Sequence, residues 1–168
     1  MTNTIPTIPT DPHGTTIEAD PNLPTITIVR EFDAPAHLVY RAWTEPELVV
    51  QWLGPNNTEM KIDRWQASTG GHYRYTAWQD GEQVAAFFGS FHEARPGERL
   101  VQTFTWEGMP DGVSLETMTF TDLDNGRSRI TGVSIVDSLE GRDAILASGM
   151  EVGVYEGYAK LDALLARD

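Results

Sequence analysis

TITIVREFDAPAHLVYRAWTEPELVVQWLGP, Thr25 to Pro55, decides the fold of this chain. Ile26, Ile28, Arg30 and Phe32 share one parity and Thr27, Val29 and Glu31 the other, the two-residue alternation of a strand over Thr25–Phe32 with at least one buried face. Asp33-Ala34-Pro35 breaks it. Pro35 suits a helix start, because its fixed φ is already helical and its missing N–H is not needed there. A short helix follows over Ala36–Trp43, with Leu38, Val39, Ala42 and Trp43 at helical spacing. Thr44-Glu45-Pro46 opens a second, in which Thr44 can accept the first amides and Glu45 and Glu47 sit favourably against the helix dipole. Leu48, Val49 and Trp52 form its apolar stripe and Gly54-Pro55 stops it. Helices of about two turns are unstable alone, so both must pack on something.

Downstream the chain reads as a meander. The pattern predicts strands at Thr58–Ala67, His72–Trp78, Gln83–Glu93, Arg99–Trp106, Ser114–Asp122 and Ser128–Val136. Turn signals at Gly70-Gly71, Asp80-Gly81, Pro96-Gly97, Pro110-Asp111-Gly112 and Asp124-Asn125-Gly126 separate them. With the first strand they make a curved antiparallel sheet of about seven. From Gly141 to Ala166 the period changes: Leu146, Met150, Val154, Tyr158, Leu161 and Leu165 recur every three or four residues, with Arg142, Asp143, Glu151, Lys160 and Asp162 at other positions. One long helix is expected. Gly149, Gly153 and Gly157 recur along it at about 0.8–1.0 kcal/mol each relative to alanine. Either the helix packs closely on the sheet there, or room is left between the two.

The 168 residues suit one domain, with the fold at 25–168 and an irregular or extended Thr/Pro-rich arm over 1–24, outside the core. A net charge of −13 opposes nucleic acid and anionic membrane as partners. The absence of cysteine excludes disulfides, thiol catalysis and cysteine-bound metal. No apolar run approaches a membrane span and the first 24 residues lack a secretory pattern, so a cytoplasmic protein is expected. The arm also leaves a homodimer contact open.

The order of strand, two short helices, meander and terminal helix resembles the helix-grip fold of the START-like, SRPBCC superfamily, an α+β fold shared with the major birch pollen allergen. In detail it is similar to the activator of heat shock protein 90 ATPase homologue family, through Arg30-Glu31-Phe32-Asp33-Ala34-Pro35, Trp43-Thr44-Glu45-Pro46 and Trp52-Leu53-Gly54-Pro55. Gly70-Gly71 before Tyr73 and Tyr75, Gly89, Glu98-Arg99-Leu100-Val101 before Phe104 and Trp106, Thr117-Met118-Thr119-Phe120, and Gly149-Met150 with Gly153 complete the likeness over residues 25–166. The family's tryptophan after the helix glycine is Val154 here, and its histidine near the end of the last strand is Ser134.

The resemblance implies a pocket between sheet and terminal helix for a small hydrophobic or aromatic molecule. By parity its lining would be Tyr73, Tyr75, Phe104, Trp106, Met118 and Phe120, opposite Met150, Val154 and Tyr158. Each alone is better explained as core packing, and for the set together a pocket is the preferred reading. Arg30 shares the parity of Ile28 and Phe32, so it anchors a ligand acid or pairs with a buried carboxylate such as Glu116; the pair is the preferred reading. Trp43, Trp52 and Leu53 are expected near the entrance.

No metal or cofactor is expected. His92 and Glu93 are adjacent in a strand and point to opposite faces, and no ligand spacing occurs. GxSxG and GxxxxGK are both missing. Asp63, Glu93 and Glu116 are carboxylates in the predicted strands, expected mostly on the solvated face. Catalysis is therefore left open, as a polyketide cyclase or aromatase-like alternative. A co-chaperone that stimulates the heat shock protein 90 ATPase is a further alternative, with the chaperone as partner; the eukaryotic activator carries an upstream domain, where 24 residues stand here.

Overall fold

The computed structural model of the protein describes residues 8 and 10–167. Thr25–Phe32 is an inner strand rather than an edge: Thr16–Ala19 (β1) pairs antiparallel along one side of it, with Ile17 opposite Ile28, and the last strand pairs along the other. Thr25–Phe32 is therefore β2. The remaining strands are β3 (Glu59–Trp65), β4 (His72–Gln79), β5 (Glu82–Arg95), β6 (Arg99–Trp106), β7 (Ser114–Asp122) and β8 (Ser128–Ile135). Among the described residues the sheet has eight strands, in the order β1-β2-β8-β7-β6-β5-β4-β3. This corrects the expected seven and the placing of the whole arm outside the core. Ile17 is buried with Ile26, and Thr15 is held by Asp11. The Thr-Ile-Glu-Ala stretch is too short to show a period. The expected arm over 1–24 falls outside the described residues at 1–7 and 9.

The two short helices are present as α1 (Ala36–Thr44) and α2 (Pro46–Val49). Thr44 does not cap the second; its hydroxyl turns back to the Tyr40 carbonyl at 2.9 Å. Trp52 is 1% exposed and its indole N–H donates to the Ala42 carbonyl at 2.9 Å, so it belongs to the core and not to an entrance.

The C-terminal segment is two helices, α3 (Leu139–Ala147) and α4 (Met150–Leu165), in place of one. Ser138 caps the first, its side chain accepting from the Gly141 amide at 3.0 Å. Gly149 ends it with φ 82°, a left-handed conformation in which a glycine carries no Cβ penalty. The apolar period runs through the break, which is why periodicity alone reads one helix. Leu146 on α3 packs on Ile17 and Ile26, while Tyr158, Leu161 and Leu165 on α4 join Phe32, Val39, Trp52, Leu100, Phe120 and Ile130 in the main core. The result is the expected helix-grip arrangement.

Arg142, placed by period on the polar side, is 2% exposed. Its NH1 donates to the carbonyls of Asp20 (2.7 Å), Leu23 (2.8 Å) and Thr25 (3.3 Å), and its Nε to Asp143 (2.7 Å). It clasps the β1–β2 connection onto α3.

Candidate functional site

The inner face of the sheet divides into two halves. Leu100, Phe120, Ile130 and Phe32 are closed over by α1 and the C-terminal half of α4. Further along the same strands Phe104, Met118, Gly132 and Ile28 keep accessible surface, as do Tyr75 and Phe87 on β4 and β5 and Met150 and Val154 on α4. Tyr75, Phe87 and Phe104 form a stacked run with ring centroids 5.1 and 5.2 Å apart.

A polar row crosses this second half. Register places Gln102 on β6 opposite Glu116 on β7, and Glu116 opposite Ser134 on β8. Side chains directly opposite on one face are contact neighbours. Gln102 donates from Nε2 to the Tyr73 hydroxyl at 3.1 Å, and Ser134 donates to Glu116 Oε1 at the long distance of 3.5 Å. Burial pushes the Glu116 carboxyl up to about 7, and the Ser134 hydrogen bond offsets only part of that. Burial first, and then the Glu116 charge, pushes the Tyr73, Tyr75 and Tyr158 hydroxyls up.

Eight of the nine residues expected to line a pocket lie in or against the two apolar clusters: Tyr73, Phe120 and Tyr158 buried, Tyr75, Phe104, Met118, Met150 and Val154 partly so. Trp106 does not. It ends β6, is 47% exposed and lies over Gly108. The Tyr73 hydroxyl is not a free handle either: it reaches across Gly89 and donates to the Thr103 carbonyl at 2.6 Å. A Cβ at Gly89 would stand 2.0 Å from that carbonyl oxygen and 2.7 Å from the tyrosine oxygen, which accounts for the glycine. The hydroxyls of Tyr75 and Tyr158, by contrast, make no hydrogen bond among the described residues.

Arg30 is inward and ion-paired, but with Asp162 on α4 and not with Glu116. Gly149 is the break itself and faces open space, and the other two glycine steps face neither the sheet nor a gap. Gly153 approaches Pro55, and Gly157 lies against the Trp52 carbonyl and Gly54, so α4 is seated on the turn that ends the Thr25–Pro55 stretch. Phe87, Gln102 and Glu116 are the inner-face residues the site reading lacked. Each has the parity of a residue that reading contained or of Gly89; Glu116 enters it only as a buried partner for Arg30, and polarity hides Gln102.

Two surface concavities lie elsewhere. One of about 510 Å³ runs past Asp63, Arg64, His72, Phe88 and Ser90 and shares only Tyr73 with the inner set. One of about 300 Å³ lies outside the Arg30–Asp162 pair, between Glu31, Arg127 and Leu165. Both are open and rimmed by charge. Among the described residues no group of three or more His, Asp or Glu could hold a metal ion, and no helix is long and apolar enough to cross a membrane.

The sequence profile of the family described as "Activator of Hsp90 ATPase homolog 1-like protein" matches residues 33–166. Solved structures share the architecture. A protein from Chromobacterium violaceum is 28% identical, with 86% of this chain and 98% of that one covered and a TM-score of 0.72. A protein from Mycobacterium smegmatis is 25% identical over 90% of this chain and 96% of its own, with a TM-score of 0.80. One from Rhodobacter sphaeroides, 24% identical over 90% and 98%, has a TM-score of 0.81 and speaks for the fold alone. No curated protein matches the chain by sequence.

Proposed function

The chain belongs to the Activator of Hsp90 ATPase homolog 1-like family, and on that footing we propose that it binds a small hydrophobic or aromatic molecule between the sheet and α4. One observation carries the reading: Tyr75, Phe87, Phe104 and Met118 on the inner face of the sheet and Val154 on α4 keep accessible surface, while the other half of the same face is closed. A stacked aromatic run with a few polar groups at one side matches the composition of small-molecule sites. The free Tyr75 and Tyr158 hydroxyls would orient the guest.

The apolar fluorophore N-phenyl-1-naphthylamine tests this. Fluorescence should rise to saturation at one probe per chain, and Val154→Trp, which fills the space, should abolish the rise while the circular dichroism stays native. Absence of binding to the wild-type chain overturns the proposal. Family membership also supports a second reading, stimulation of a 90-kDa heat shock protein. That role would appear as a raised chaperone ATPase rate, and Val154→Trp would leave it unchanged. A cyclase-like activity would need Glu116 as its proton-transfer group and would be lost in Glu116→Gln.

A further inference from the structure

Glu116 is a half-buried, inward-facing carboxylate with no cation paired to it among the described residues. Its one hydrogen bond is the long one from Ser134. Arg30 also projects from the inner face, but both its NH groups are committed to Asp162, at 2.7 and 2.5 Å, and it stands two pleats away along the sheet. Gln102 on β6 and Ser134 on β8 stand opposite Glu116 in the register, and its charge also bears on the hydroxyls of Tyr73 and Tyr75 on β4 and Tyr158 on α4. None carries a positive charge. Tyr73 and Gln102 hydrogen-bond each other rather than the carboxylate. Lone pairs of Glu116 are thus left without a partner among the described residues, on the inward face that also carries the Tyr75–Phe87–Phe104 rings.

A buried charge is tolerated when it is paired. Within the described fold no residue supplies the partner, so the guest can. We propose that the ligand is an amine on an aromatic or hydrophobic body, its protonated nitrogen held by Glu116 and its apolar part by the Tyr75–Phe87–Phe104 run. The negative carboxylate and the faces of these rings both favour a cation and disfavour an anion. Selection is therefore by charge at one end and by shape at the other. This rests on the interior being a ligand site.

Three probes with one ring system separate the two ideas: 2-naphthylmethylamine, 2-naphthylmethanol and 2-naphthoate, titrated calorimetrically into the full chain and into Glu116→Gln. Salt of about 0.3 M screens the exposed acidic surface. At about pH 8 the wild-type chain should prefer the amine to the alcohol by about tenfold or more and bind the carboxylate least. Glu116→Gln should remove the preference, bringing the amine and alcohol affinities together. Amine affinity in the wild type should also rise from about pH 5 to about pH 8, as Glu116 gives up its proton, while alcohol affinity stays flat. Alcohol binding with no amine preference, or a preference that survives in Glu116→Gln, overturns the role of Glu116 and leaves the hydrophobic site standing. Failure of all three probes to bind overturns both.

Discussion

Arg30 on β2 is gripped bidentately by Asp162 on α4, with NH1 donating to Oδ1 at 2.7 Å and NH2 to Oδ2 at 2.5 Å, while NH1 also reaches the Glu31 carbonyl at 2.8 Å. The guanidinium is 3% exposed and lies 4.6 Å from the centre of the Phe32 ring. It ties the terminal helix to the strand that begins the fold. Asp162→Ala would leave the arginine charge buried with one carbonyl. Breaking a buried pair from one side costs about 3–5 kcal/mol, and because Asp162 keeps 34% of its side-chain surface the lower end applies. Urea unfolding should show a loss of about 3 kcal/mol with an unchanged m-value. A loss under 1 kcal/mol would mean that the pair behaves as a surface bridge.

Glu116 makes stability depend on pH in a definite direction. In the unfolded chain its carboxyl has the ordinary value of 4.5, and in the fold about 7. Between those values the folded state holds a proton that the unfolded chain has lost. Stability is therefore fully present below about 4.5, falls as pH rises to about 7, and stays lower above. Glu116→Gln removes this titration. The variant should match the wild type near pH 4.5 and exceed it at pH 8 by up to about 3 kcal/mol. Paired denaturation curves at the two pH values check it. A gap that does not widen with pH would mean that the carboxyl is solvated.

What could be read from the chain, and what could not, follows from the range of the forces involved. Arg99–Trp106 and Ser114–Asp122 were legible to the residue, because alternation and turn residues are local. β1 was not: four residues have no period, and they become a strand only because β2 offers an open edge. The break at Gly149 was hidden because the apolar stripe continues through it. The parity that places Tyr75, Phe104 and Met118 inward also places Gln102 and Glu116 there; sequence offers Glu116 as a buried partner for Arg30, a pairing the structure gives to Asp162 instead. Gln102 and Glu116 depend on each other for acceptance inside, and sequence order does not show that Gln102, Glu116 and Ser134 stand side by side.

Arg142 should control β1 more than the rest of the sheet. Three carbonyls around the β1–β2 connection, those of Asp20, Leu23 and Thr25, share its NH1. Arg142→Met keeps the bulk and removes the donor, and leaving buried acceptors unpaired costs about 1–3 kcal/mol each. Amide exchange in Thr16–Ala19 should accelerate by about tenfold or more, with β6 little changed. Equal acceleration in β6 would show that the clasp stabilises the whole fold and not its edge.

Gly153 and Gly157 occupy the same helix face, yet replacing them should have opposite effects. At Gly153 a new Cβ would meet Pro55 Cδ at 3.6 Å and its nitrogen at 3.9 Å, both ordinary contacts, so alanine should add its helix preference of about 0.8–1.0 kcal/mol. At Gly157 it would meet the Trp52 carbonyl oxygen at 3.1 Å and the backbone of Gly54 at 3.5 and 3.6 Å. Neither can yield easily: Trp52 is locked in the core by its indole hydrogen bond, and Gly54 is held at φ 101°. Gly157→Ala should therefore lower the melting temperature while Gly153→Ala raises it, and the double variant should fall near the sum. If both raise it, the turn at Trp52–Pro55 is softer than its packing implies, and α4 is seated there by the side chains of Tyr158 and Leu161 alone.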